Sequence, residues 1–106
     1  SKKKLRESLL NFKEWCRENR DNRMRKITEM LKSKLRGYYN YYGLIGNYDS
    51  LWKFYTIVME ILYKWLNRRS QRKSFNWSEF TRLMKWYGIL KPKIMESGDH
   101  QLEFQY

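Results

Sequence analysis

The chain has one cysteine, one proline and one histidine, and each scarcity removes a class of explanation. Cys16 alone cannot close an internal disulfide, so stability must come from burial, and a reducing, intracellular home is the simplest reading. Pro92 stands near the end and leaves almost the whole length free to be helical. His100 is isolated in the tail, so neither a histidine metal site nor histidine acid–base catalysis is built here. No apolar run approaches the roughly 18 residues of a membrane span. The opening residues, SKKKLRES, lack both an initiator Met and a signal-peptide pattern, and read as the start of a piece cut from a longer chain. Acidic residues are scarce as well: 11 against 23 Lys and Arg, a net charge of +12.

That excess attracts polyanions, with nucleic acid and anionic membrane as the two obvious partners. Aromatic residues make up 18% of the chain and tilt the choice toward nucleic acid, because rings can stack on unpaired bases. A length of 106 residues with 42% hydrophobic content fits one domain, burying roughly two-thirds of its surface. Apolar residues recur at spacings of three and four, strand alternation is absent, and no repeat occurs. The fold class is therefore all-α.

Four helices are expected. The first covers about 3–18, with Leu5, Leu9, Phe12 and Cys16 on one stripe and Lys13, Glu14 and Arg17 facing away. The second covers about 24–42, its core stripe running through Ile27, Leu31, Leu35, Tyr38 and Tyr42, with Gly43 in the left-handed position past its end. The third, about 50–69 with Asp49 or Ser50 as N-cap, is apolar over so much of its girth that it belongs at the centre. Trp52, Met59 and Tyr63 form a second stripe on it. The fourth starts at FNWSEF, where Asn76 and Glu79 make a capping box and Phe75 can staple to Phe80, and it stops at Gly88. Beyond Lys93 the tail has three acids and no Lys or Arg, either a strap over the helices or the start of a linker.

The stretch YYNYY at 38–42 divides on projection: Tyr38 and Tyr42 lie with the core, Tyr41 on one border, and Tyr39 on the border of a basic face. That face carries Arg25, Lys32 and Arg36, interrupted by Glu29; the purely structural reading is a solvated face with a half-buried tyrosine. A second cluster, Lys64, Arg68, Arg69, Arg72 and Lys73, has no acid within it. The macrodipole accounts for Arg68 and Arg69 in a last helical turn. Arg72 and Lys73 lie beyond its reach, and gripping phosphates is the reading preferred for the group. The N-terminal KKKLR and the pair Lys91 and Lys93 rank lower. Glu7, Glu14 and Glu18 read as surface ion-pair partners, and Cys16 as an inert buried thiol. No cofactor site, metal site or catalytic constellation is found.

Taken together, LRGYYNYYG at 35–43, GN at 46–47, KWLNRRSQRKSFNWSEF at 64–80 and PKI at 92–94 resemble the maturase-specific domain of group II intron-encoded proteins, also called domain X. The matching blocks keep the family's order from about 24 to 94. The resemblance implies the thumb of a reverse transcriptase, a bundle of three to four helices. It implies binding to structured group II intron RNA during splicing and bracing of an RNA/DNA template–primer duplex. It also implies RNA-facing roles for Lys34 and Arg36 in KLRG and for Arg68, Arg69, Arg72 and Lys73 in NRRSQRK. The Y-x-D-D signature of the polymerase palm and the histidine-rich endonuclease pattern do not occur here. The fragment is thus expected to lack catalysis of its own, its parent being an RNA-directed DNA polymerase.

The organisation expected is a helix over 1–22 leading from the palm, the maturase domain over 23–94 and an acidic tail or linker over 95–106. Partners are structured RNA and the fingers and palm of the same polypeptide, with no membrane. The setting is intracellular, a bacterial cytoplasm placed ahead of an organelle. Two alternatives stand beside this one. A basic helical DNA-binding module would have Ser78, Arg82 and Lys85 facing out on the fourth helix. A protein–protein docking domain would use Trp52, Met59 and Tyr63 as one exposed patch. The RNA proposal requires Arg25, Lys32, Arg36, Lys64, Arg68, Arg69 and their neighbours to converge on one electropositive surface.

Overall fold

The structure is a computed structural model that describes residues 2–69, 74–89, 91–94 and 102–103. Four helices make up the described fold: α1 (Lys2–Glu18), α2 (Met24–Leu44), α3 (Tyr48–Arg69) and α4 (Trp77–Trp86). Two two-residue strands, β1 (Lys93–Ile94) and β2 (Leu102–Glu103), pair antiparallel with Lys93 opposite Glu103, and β2 lies against α2. Each expected helix is present. Their ends differ in ways that have local causes.

Helix α2 runs two residues past its expected end at 42, through the glycine expected to stop it. Gly43 is helical, and Gly46 holds the left-handed conformation with φ at 70°. Around it the amide of Asn47 reaches the carbonyl of Tyr42 at 3.0 Å and that of Gly46 reaches Gly43 at 3.1 Å. This pairing is a Schellman closure, which satisfies carbonyls the helix end would otherwise orphan. Asn47 then turns at once to the next helix: its Oδ1 accepts from the Ser50 amide at 3.2 Å, so it caps α3 in place of Asp49 or Ser50. One asparagine thus ends one helix and starts another. Helix α4 repeats the closure at its own end, with Gly88 at φ 86° and Ile89 donating to Met84 at 2.9 Å.

The start of α4 is as the sequence indicates. Asn76 Oδ1 accepts from the Glu79 amide at 2.8 Å, and Glu79 Oε1 accepts from the Asn76 amide at 3.0 Å. Between α1 and α2, Asn19 folds its side-chain amide back onto the Trp15 carbonyl at 2.8 Å and closes the helix without a glycine.

Helix α3 sits at the centre, with α1 and α2 packed on it and α4 reaching it through aromatic contacts. Leu51, Phe54, Val58 and Leu62 are sealed from solvent, as are Ile27, Leu31 and Leu35 of α2 and Phe12 and Cys16 of α1. These side chains form one continuous core, in which α1 takes part through Phe12, Trp15 and Cys16. Among the described residues, no helix is long and apolar enough to cross a membrane.

Two side-chain expectations are corrected. Tyr39 is 1% exposed and belongs to the core, while Tyr38 is only half-buried, its ring 4.2 Å from that of Phe54. The buried stripe follows Ile27, Leu31, Leu35 and Tyr39, a strict i+4 row that precesses around the helix as a ridge does when it seats in a neighbour's groove. Trp52, Met59 and Tyr63 do not form one exposed patch: Met59 is buried, and the Tyr63 ring lies edge-on to Trp77 and Phe80.

Candidate nucleic-acid interface

Helices α1 and α3 leave an open groove of about 1110 Å³ between their C-terminal halves. Its positive charges come from Lys64, Arg68 and Arg69 on α3 and from Lys13, Arg17 and Arg20 on α1 and the turn after it. Glu14, Asp21 and Glu60 are the acids among the lining residues, leaving three more cations than anions. The floor is apolar, with Ile57, Ile61 and Trp65 from α3. Residues 57, 61, 64 and 68 share one face because spacings of three and four return to the same side of an α-helix.

Arg69 is the most informative member. Its guanidinium lies 5.3 Å from the centroid of the buried Trp65 ring, a cation–π placement that fixes a planar fork. Its Nη1 is covered and has no hydrogen-bond acceptor among the described residues. A covered donor left without a partner costs about 1–3 kcal/mol, so the position favours an incoming anion. Arg68 and Lys64 beside it are exposed, and Arg17 is paired with Glu14 at the surface.

A clamp holds the chain where it leaves α3. The Asn67 side chain accepts from the Phe75 amide at 2.7 Å and donates to the Phe75 carbonyl at 3.1 Å. These two bonds tie Phe75 back to the last turns of α3. Arg72 and Lys73 lie outside the described residues.

The cations of α2 do not join this groove. Arg25 and Arg36 are exposed on their own helix. Lys32 pairs with Glu29 at 2.9 Å and lies against Gly88, whose absent Cβ would stand 3.5 Å from Nζ. Lys34 is half-buried at the seam with α1, its Nζ 5.4 Å from the centroid of Trp15. Of the cations expected on one basic surface, Lys64, Arg68 and Arg69 line this groove together, and Arg25, Lys32, Lys34 and Arg36 are not among its lining residues. Tyr39, being buried, has no face to offer a base. Tyr41 is the exposed ring of the YYNYY stretch, with Lys4 4.9 Å above it.

Burial pushes the Cys16 thiol up to about 12, with Lys34 pulling weakly the other way, so the thiol stays protonated and unreactive. Burial also raises the phenols of Tyr42, opposed there by Ser8, and of Tyr55. Among the described residues no group of three or more His, Cys, Asp and Glu side chains could hold a metal.

Lys13, Arg17 and Arg20 escaped the sequence reading, which took the first two as facing away and the third as part of a polar connection. Their spacings of four and three were a usable signal of a common face. Comparison with known families finds a match over residues 3–87 to the model described as group II intron, maturase-specific domain. Comparison with curated proteins finds no match, and neither does comparison with solved structures.

Proposed function

The chain belongs to the group II intron maturase-specific domain family, and on that premise we propose that it binds structured intron RNA through the α1–α3 groove. The observation that carries this is Arg69, held over Trp65 with a covered Nη1 that has no acceptor among the described residues, beside the exposed Lys64 and Arg68 of the same helix. A-form RNA hides its bases in a narrow major groove, so recognition of this kind works by shape and phosphate. Lys64, Arg68 and Arg69 are the primary phosphate contacts, joined by Arg72 and Lys73, which follow them in the sequence. Lys13, Arg17 and Arg20 supply the opposite wall. Arg25, Lys32, Lys34 and Arg36 form a second set on α2, available to a ligand that wraps around the bundle.

As the thumb of a reverse transcriptase, the same cations would brace a template–primer duplex, whose backbone carries the same charge. Polymerisation would then belong to fingers and palm elsewhere in the parent polypeptide, in an intracellular setting.

The test is the salt dependence of binding to a structured intron RNA. Engagement of about four to six phosphates predicts a slope of log affinity against log salt with a magnitude of roughly 3 to 5. The triple variant Lys64→Gln, Arg68→Gln, Arg69→Gln lowers that magnitude by about 2–3 while leaving the fold intact by circular dichroism. An unchanged slope in the folded variant removes the assignment. Equal affinity for duplex DNA of matched charge would favour the DNA-binding module instead.

A further inference from the structure

A second groove lies on the far side of α3, and its chemistry is different. It is a cleft of about 850 Å³, within the ~300–1,000 Å³ range of small-ligand sites. Its floor includes Met59 and Phe80, both buried. Two indoles line it, Trp52 from α3 and Trp77 from α4, and they remain 37% and 47% exposed. Arg82, Lys85 and Lys91 stand among the lining residues with exposed side chains, and no acid does.

Trp77 is exposed without being loose. Its ring centroid lies 5.3 Å from that of Phe80 at an interplanar angle of 35°, and 5.1 Å from that of Tyr63, edge-on at 74°. Phe80 and Tyr63 hold each other in the same way, 5.3 Å apart at 72°. Two rings thus fix the indole, while the capping box fixes the backbone beneath it at the first turn of α4. A ring ordered in advance adds no ordering cost when a flat ligand stacks on it. Trp52 is braced by the Tyr55 ring, edge-on at 6.1 Å.

From these features we propose that the α3–α4 cleft is a binding site for unpaired nucleotides of single-stranded RNA, whose bases stack on Trp77 and Trp52. Arg82, Lys85 and Lys91 neutralise the accompanying phosphates. Pre-fixed aromatic faces beside cations are the elements by which proteins hold unpaired strands, every base having a π-face to offer. An acidic peptide would match the charge, but it has no use for flat rings fixed in advance. This site shares no lining residue with the α1–α3 groove, so the proposal does not rest on that groove being the interface for structured RNA.

The experiment uses the whole chain with a labelled hexauridylate at low salt, and with an abasic hexamer carrying the same phosphates. Both are measured in the background Arg68→Gln, Arg69→Gln, so that the other groove contributes little. Hexauridylate binds at least tenfold more tightly than the abasic strand and quenches tryptophan fluorescence. Trp77→Leu, which keeps apolar volume without an indole face, and Trp52→Ala each lower affinity for hexauridylate by roughly 5- to 150-fold. The abasic strand is little affected by either change. Equal binding of the two strands overturns the proposal, as does undiminished hexauridylate affinity in both tryptophan variants. Displacement of hexauridylate by an acidic amphipathic peptide at lower concentration than by unlabelled hexauridylate also overturns it. Failure of the α1–α3 assignment leaves these outcomes unchanged, because it is read on structured RNA with the indoles intact.

Discussion

The two faces of α3 are built from one helix and reach opposite chemistries. On one side Lys64 and Arg68 follow Ile57 and Ile61 in the i+3 and i+4 rows, and α1 with the turn after it adds three more cations. On the other side Trp52, Tyr55 and Met59 recur at the same spacings, about half a turn away, and α4 adds Trp77 and Phe80. The difference comes from what the neighbouring helix covers. Helix α1 is a long partner that seals the α3 core with Phe12 and Cys16 and leaves its charged flank beside the groove. Helix α4 has ten residues and is anchored through Phe80 and Met84, too little surface to hide the rings around it. Short partners leave apolar surface open; long partners leave charge.

The sharpest way to break that contrast is Phe80→Ala. Phe80 is fully buried and braces both Trp77 and Tyr63, and truncating a buried phenylalanine costs about 3–5 kcal/mol. A domain of this size holds only ~5–15 kcal/mol in all, so chemical denaturation should show a large loss of stability. If the two faces are separate units, the variant loses hexauridylate binding while keeping the salt slope on structured RNA. Loss of both together would mean that α4 is needed for the α1 side as well.

The next effect belongs to the α1 side and is read by pH. The folded state holds the Cys16 thiol near 12 against an ordinary value of 9, so the unfolded chain binds fewer protons once the pH exceeds 9. Stability is therefore complete below about pH 9 and is lost as the pH rises toward 12, by an amount on the order of a few kcal/mol. Tyr42 and Tyr55 add to the loss from about pH 10 upward, because burial raises them too. In Cys16→Ala the decline of the denaturation midpoint between pH 9 and 10 should flatten, while the tyrosine part above about pH 10 stays. A decline of unchanged steepness would place the thiol in water, contrary to its packing.

How much of this was legible before the structure varies with the range of the interaction. The capping box at Asn76 and Glu79 and the stop at Gly88 were read correctly, because each is settled by residues within four positions. Gly43 and Gly46 were equally good local stops for α2. The outcome fell to Gly46, with Asn47 next in line closing α2 and capping α3 together. Tyr38 and Tyr39 exchanged places because a fixed 100° projection assumes a straight seam, whereas the buried row advances by fours around the helix. The site divides in the same way. Lys64, Arg68 and Arg69 stood out as a run without acids, but their union with Lys13, Arg17 and Arg20 is tertiary, and Glu14 beside Arg17 made that flank look neutralised. Asn67, a polar residue between cations, gave no sign of its partner eight positions away.

Asn67 supplies the smallest and most specific test. Its two bonds hold Phe75, which follows the basic run in the sequence, to the end of α3, and Phe75 is half-buried against the core. Asn67→Ala removes both bonds at about 0.5–1.5 kcal/mol each and leaves the chain's charge untouched. If the basic face works because its cations are held in place, affinity for structured RNA falls several-fold while binding of hexauridylate in the α3–α4 cleft does not change. Asn67→Asp keeps an acceptor for the Phe75 amide but loses the donor to its carbonyl, so it should restore part of the stability. The added negative charge among four cations would still weaken RNA binding, which separates clamp from charge: stability should rank wild type, Asp, Ala, and RNA affinity need not follow. An Ala variant with unaltered RNA affinity would show that charge density alone suffices on this face. The contrast between the two sides of α3 would then be one of charge against ordered rings, with fixed geometry required only on the aromatic side.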